Sequence, residues 1–181
     1  PVAEQYSLIP AAHDRLRYVA DLVKPALVYA ADGDAYAEAL KLLDCPAICS
    51  DVGDSGAIPL DLLKQGRADI HAAHKAVGSD TVAKLLLTSG STSEPKAVGT
   101  THCMMTFNQA QIRDALPFLE VGPPVLVDWL PWNHVFGGSH NFNLVLANGG
   151  ALFIDDGKPS PALFPRTVEN LGLVSGTISF N

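Results

Sequence analysis

Residues 88–98 read Thr-Ser-Gly-Ser-Thr-Ser-Glu-Pro-Lys-Ala-Val, the densest group of chemically useful side chains in the chain. A row of phosphates, such as that of ATP, presents several negative oxygens. Holding it takes backbone N–H groups that approach closely, hydroxyl donors and a cation to offset the charge. Gly90 lets the backbone turn tightly, Thr88, Ser89, Ser91 and Thr92 carry hydroxyls, and Lys96 brings a flexible positive charge behind the rigid Pro95. The pattern is not a Walker loop, which places Gly directly before a Lys that is followed by Ser or Thr. Ser93 and Lys96 also spell the S-x-x-K of penicillin-recognising acyl enzymes, whose partner motifs Ser-Asp-Asn and Lys-Thr-Gly do not occur here. A covalent adduct on Ser93 would favour that alternative. A second group, Trp129 to Gly138, places His134 among Trp129, Trp132 and Phe136; taken alone, His134 reads as a helix-cap or core histidine. His71 and His74 share a helix face, but no further ligand lies near them in sequence, so they read as an exposed polar face and no metal site is expected.

These groups need positioning elements, and helical and strand signals alternate along the chain. Helices are predicted at 11–23, where Leu16, Val19, Ala20 and Val23 recur at helical spacing, and around Tyr36, Leu40 and Leu43. Further helices are predicted at 102–116, 137–147 and near 168–171, with weak helix over 60–77. Short apolar runs at 26–30, 47–50, 82–87, 97–101, 125–130, 151–154 and 177–180 predict strands, and residues 51–59 predict a surface excursion. The loop at 88–96 would then join two extended segments. The alternation predicts an α/β fold with a mainly parallel sheet and helices on both faces.

A chain of 181 residues, nearly half apolar and with few charges, is expected to form one partial domain over 1–181. The net charge of −7, with Lys and Arg scattered singly, argues against nucleic acid. No apolar run reaches the roughly 20 residues of a membrane span. Three cysteines, Cys45, Cys49 and Cys103, offer neither a disulfide framework nor a metal knuckle. A cytoplasmic protein is expected. The chain opens on Pro1 and stops straight after a predicted strand, so both ends look cut.

The loop resembles the phosphate loop of the adenylate-forming superfamily of acyl-CoA synthetases, luciferases and peptide-synthetase adenylation domains, which reads Thr-Ser-Gly-(Ser/Thr)-Thr-Gly-x-Pro-Lys-Gly. Ser93 and Ala97 stand where that family usually has Gly. A Gly needed there for a positive φ would make each side chain cost on the order of 1 kcal/mol. Trp129 to Gly138 resembles the next core motif, with a His followed by an aromatic and Gly. Asn141, Phe142, Asn143, Asn148–Gly150 and Asp155–Pro159 resemble the feruloyl-CoA synthetase-like branch.

The resemblance implies a subdomain of the family's large N-terminal domain. The C-terminal domain with its catalytic Lys and the adenine- and ribose-binding segments are absent from this sequence. By resemblance, Thr88, Ser89, Gly90, Ser91, Thr92 and Lys96 hold the ATP phosphates. His134 is the catalytic residue near the carboxylate and α-phosphate, and Trp132, Phe136 and Gly138 line the acyl pocket. The implied reaction joins a carboxylic acid, such as the aryl-propenoic ferulate, to AMP from Mg²⁺-bound ATP and passes the acyl group to coenzyme A. The implied partners are therefore a small carboxylic acid, ATP, CoA and the remainder of the same polypeptide. A non-catalytic nucleotide-binding module is the alternative for the chain by itself.

Overall fold

The computed structural model describes residues 2–66, 68–88 and 95–180. The chain divides into two compact units, residues 1–77 with 89–97 and residues 78–88 with 98–181.

In the first unit, α1 (Glu4–Leu8) and a 3₁₀ turn at Pro10–Ala12 lead into α2 (His13–Val23). The helical spacing at 11–23 is borne out: Leu16 and Val19 are the buried face of α2. Lys24 closes the helix in the left-handed region, at φ 46°, and its amide donates to the Ala20 carbonyl. The strands β1 (Val28–Asp32), β2 (Ala47–Asp51) and β3 (Ile58–Pro59) pair in parallel in the order β1-β2-β3. β1 starts two residues later than the apolar run predicts, after Pro25 and the exposed Leu27. The helix expected around Tyr36 to Leu43 shortens to α3 (Ala37–Leu40), because the chain turns back through Pro46 into β2. The 60–77 region splits at Gly66 into α4 (Leu60–Lys64) and α5 (Ile70–Lys75), and the Asp69 side chain caps α5 by accepting from the His71 and Ala72 amides.

In the second unit, β4 (Val82–Thr88) pairs as a two-stranded sheet with β5 (Lys96–Thr101), which belongs to this unit from Val98 on. Thr101 caps α6 (His102–Ala115) by accepting from the Met104 amide at 3.2 Å. After a 3₁₀ turn at Pro117–Glu120 comes β6 (Val125–Asp128), then a π-helical turn at Phe136–Asn141, α7 (Phe142–Ala147) and β7 (Ala151–Ile154). β6 and β7 run parallel, Val125 opposite Ala151. The core joins α6, α7 and β6: Leu126 and Leu144 are fully buried and Ile112, Leu119 and Val145 pack with them.

β6 ends at Asp128, not at Leu130, because the Asp128 carboxylate accepts the Leu130 amide at 3.1 Å and turns the backbone out of the strand. After β7, the buried Asp155 carboxylate accepts from the Gly157 amide, the Thr167 hydroxyl and the Asn170 amide group, tying this turn to α8 (Phe164–Leu173). The predicted strand at 177–180 is reduced to one parallel bridge between Leu126 and Ile178. There the Thr177 hydroxyl takes the Val125 amide at 2.8 Å, so a side chain occupies a place a strand carbonyl would fill. Parallel strands alternating with helices bear out the α/β expectation.

Candidate functional site

The loop predicted to hold phosphates leaves β4 at Thr88 and returns into β5 at Lys96, so two extended segments do carry it. Thr88 is half-buried at the end of β4 and Lys96 is exposed at the start of β5. Ser89, Gly90, Ser91, Thr92 and Ser93 lie outside the described residues. Ala97 lies inside β5, and among the described residues Lys24 is the only non-glycine with positive φ. A Cβ at 97 therefore carries no backbone strain, and this departure from the Gly pattern costs the strand nothing.

The second group is built on the segment after β6. Its backbone is a tight fold of residues 130–132 against the π-helical turn. The His134 amide donates to the Pro131 carbonyl at 3.1 Å, and the Gly138 amide donates to the His134 carbonyl at 2.9 Å. Gly137 and Gly138 are buried because the turn leans directly on that backbone. A Cβ on Gly137 would lie 2.6 Å from the Pro131 carbonyl oxygen, and one on Gly138 would overlap the Trp132 carbonyl oxygen. Glycine is needed at these two positions for close approach. Gly138 thus has a definite backbone role in addition to the pocket role predicted for it.

His134 is exposed at the start of this turn. Its Nδ1 accepts the Phe136 amide at 3.3 Å, which in the neutral ring places the proton on Nε2 and leaves an N–H to donate outward. The predicted pocket aromatics go to different partners. Trp132, 42% exposed, packs on Phe142 with ring centroids 5.1 Å apart. Phe136, 36% exposed, meets the edges of His140 and Phe180, which themselves pack at 4.7 Å.

Several contacts of this turn escaped the sequence reading. The Lys84 ammonium, half-buried on β4, donates to the Gly138 carbonyl at 2.8 Å, and burial pushes its pKa below the ordinary lysine value. Its signal was a single Lys inside an otherwise apolar strand. Asn141 is fully buried, its Oδ1 2.8 Å from His140 Nδ1. Gln109 of α6 reaches the Ser139 carbonyl at 3.4 Å. A π-helical turn widens the backbone ladder and exposes carbonyls, and such turns concentrate at functional sites.

Elsewhere, Cys45, Cys49 and Cys103 are free thiols. Among the described residues, no three His, Cys, Asp or Glu side chains converge as a metal site, so no Mg²⁺ ligand is assigned within them. Nor is any helix among them long and apolar enough to cross a membrane.

Residues 9–174 match the AMP-binding enzyme family. The chain belongs to that family. Among solved structures, it is similar to VinN in complex with 3-methylaspartate, at 23% identity and TM-score 0.61 over 91% of this chain and 41% of that chain. It is similar to the fatty acyl-adenylate ligase from L. pneumophila in complex with acyl adenylate and pyrophosphate, at 22% identity and TM-score 0.62 over 92% of this chain and 27% of that chain. A malonyl-CoA ligase in a product complex with methylmalonyl-CoA and AMP is 25% identical, with TM-score 0.56 over 77% of this chain and 26% of that chain. The chain therefore spans between about a quarter and two-fifths of the length of these structures. No curated protein matches it.

Proposed function

We propose that this chain is the part of an adenylate-forming carboxylic acid ligase that supplies the phosphate loop and the His134 turn. The carboxylate of the acid attacks the α-phosphorus of ATP, an acyl–adenylate bond forms, and the bond to pyrophosphate breaks. In the second step the CoA thiol attacks the acyl carbonyl, a thioester forms, and AMP leaves with the bonding pair. No covalent bond to the protein is involved. In the first step catalysis is positioning and charge neutralisation, which suits hydroxyls, amides and the Lys96 ammonium. Mg²⁺ bound to ATP would offset phosphate charge.

The observation that carries this reading is the His134 geometry. With Nδ1 engaged by the Phe136 amide, the exposed ring offers an Nε2–H donor, the group a carboxylate or phosphate oxygen requires. The malonyl-CoA ligase and fatty acyl-adenylate ligase similarities support an acid substrate and an adenylate product. The acid class we propose is aryl-propenoic, on the resemblance of the run from Asn141 to Pro159 and the exposed Trp132 and Phe136 rings. We place the enzyme in the cytoplasm, and we regard residues 1–181 as one partial domain that is not a complete catalyst by itself.

The test is acid-dependent exchange of labelled pyrophosphate into ATP by the full-length protein, across aryl-propenoic, aliphatic and amino acids. His134→Ala is expected to lower kcat/KM for the acid by about a hundredfold, the scale of one lost charge-assisted hydrogen bond. Unchanged kcat/KM in the variant would remove His134 from the site, and no exchange by the wild type with any acid would overturn the ligase reading.

A further inference from the structure

We propose that Lys84 is a positioning residue of this site, clamping the π-helical turn that carries His134. The inference rests on the proposed ligase function for its kinetic consequence, and on geometry alone for the clamp.

β4 runs Val-Ala-Lys-Leu-Leu-Leu-Thr, and Lys84 is its one charged side chain. A charge in an apolar strand loses hydration, and burial does depress the Lys84 pKa. A local rule broken in this way marks either strain or function, and the ammonium's recorded partner is informative. It donates at 2.8 Å to the carbonyl of Gly138, a residue 54 positions later in the chain. The Gly138 amide donates to the His134 carbonyl, and the His134 ring is in turn held by the Phe136 amide. Lys84 is therefore two hydrogen bonds from the backbone of His134.

Glycine makes the clamp necessary. Gly137 and Gly138 are required for close approach to residues 130–132, yet two adjacent glycines leave the turn with more conformational freedom than any other pair. A π-helical turn is held by longer i→i−5 bonds, here that of the Phe142 amide to the Gly137 carbonyl. The charge-assisted bond from Lys84 on β4 adds a restraint from outside the turn.

The experiment compares full-length wild type, Lys84→Met and Lys84→Arg by amide hydrogen exchange and by pyrophosphate exchange. In Lys84→Met, amides across residues 134–141 are expected to exchange about tenfold faster, the equivalent of one lost hydrogen bond to a charged group. The acid kcat is expected to fall by about tenfold with little change in KM for ATP, while Lys84→Arg, which keeps a cationic donor, recovers both readouts in part. Unchanged amide exchange across 134–141 in Lys84→Met would overturn the clamp. Equal defects in the Met and Arg variants would also overturn it, by assigning Lys84 to packing. If the wild type activates no acid, the ligase reading fails, and the amide exchange still decides the clamp.

Discussion

Replacing Gly138 by alanine isolates the packing on which the His134 turn depends. The new methyl would overlap the carbonyl oxygen of Trp132, a backbone atom that cannot swing aside as the tip of a side chain would. Either the turn lifts away from residues 130–132 or that segment moves. Inserting one carbon into a closely packed site costs about 1–3 kcal/mol. With a urea dependence of about 2 kcal/mol per M, a cost of about 2 kcal/mol lowers the unfolding midpoint by about 1 M. Gly122→Ala is the control, because a Cβ there meets nothing within 4 Å. Urea unfolding of the full-length protein followed by tryptophan fluorescence makes the comparison, with Trp129 and Trp132 reporting on the segment itself. Pyrophosphate exchange should fall in parallel, since lifting the turn breaks the Gly138–His134 hydrogen bond. A Gly138→Ala midpoint equal to that of Gly122→Ala would refute the close approach and its link to His134.

Two further perturbations test other parts of the reading. Lys96→Ala is expected to raise KM for MgATP by about tenfold or more, the scale of a hydrogen bond to a charged group, and an unchanged rate across ATP concentrations would remove Lys96 from phosphate binding. Asp155→Asn should destabilise the protein at pH 7 by about 1–3 kcal/mol. Burial alone would raise the Asp155 pKa, but hydrogen bonds from Thr167, Asn170 and the Gly157 amide outweigh burial and the nearby Asp156, and the net shift is downward from 3.8. A folded pKa below the unfolded one adds stability that is fully present above about pH 4 and fades as pH falls through the folded value. The gap between wild type and variant in urea unfolding should therefore close on acidification below pH 4, and a gap that stays constant would contradict the hydrogen-bonded carboxylate.

What could be read from the sequence follows the range of the interaction concerned. The α2 helix and the strands β2, β4, β6 and β7 were legible because their apolar periodicity is local, and Leu16 with Val19 on the buried face of α2 is an instance. The early end of β6 and the loss of the strand at 177–180 were not, because side chains decided them: Asp128 captures the Leu130 amide, and Thr177 substitutes its hydroxyl for a strand partner. At the candidate site, His134 and Gly138 were singled out by a motif resemblance. Lys84 was passed over because its meaning depends on Gly138, far away in sequence, and no periodicity records such a pair. The burial of Asn141, named only as part of a resembling run, and of Gln109 was hidden for the same reason.

The glycines show why a motif has to be weighed position by position. Ala97 departs from the family's pattern, yet it sits in β5 without positive φ, where a side chain stiffens the strand relative to glycine. Gly137 and Gly138 lie against backbone oxygens that leave no room for a methyl group. A departure at 97 therefore leaves the strand intact, and a departure at 137 or 138 would dismantle the turn. The close backbone contacts and the Lys84 bond converge on the peptide that fixes His134, so the site's tolerance to change is smallest around that residue. Substitutions there should impair acid use before they impair folding of β4, β5 or the parallel pair β6 and β7. Lys84 in the middle of β4 thus ties that strand to the turn through the Gly138 carbonyl, and this bond is where a change in β4 would reach His134.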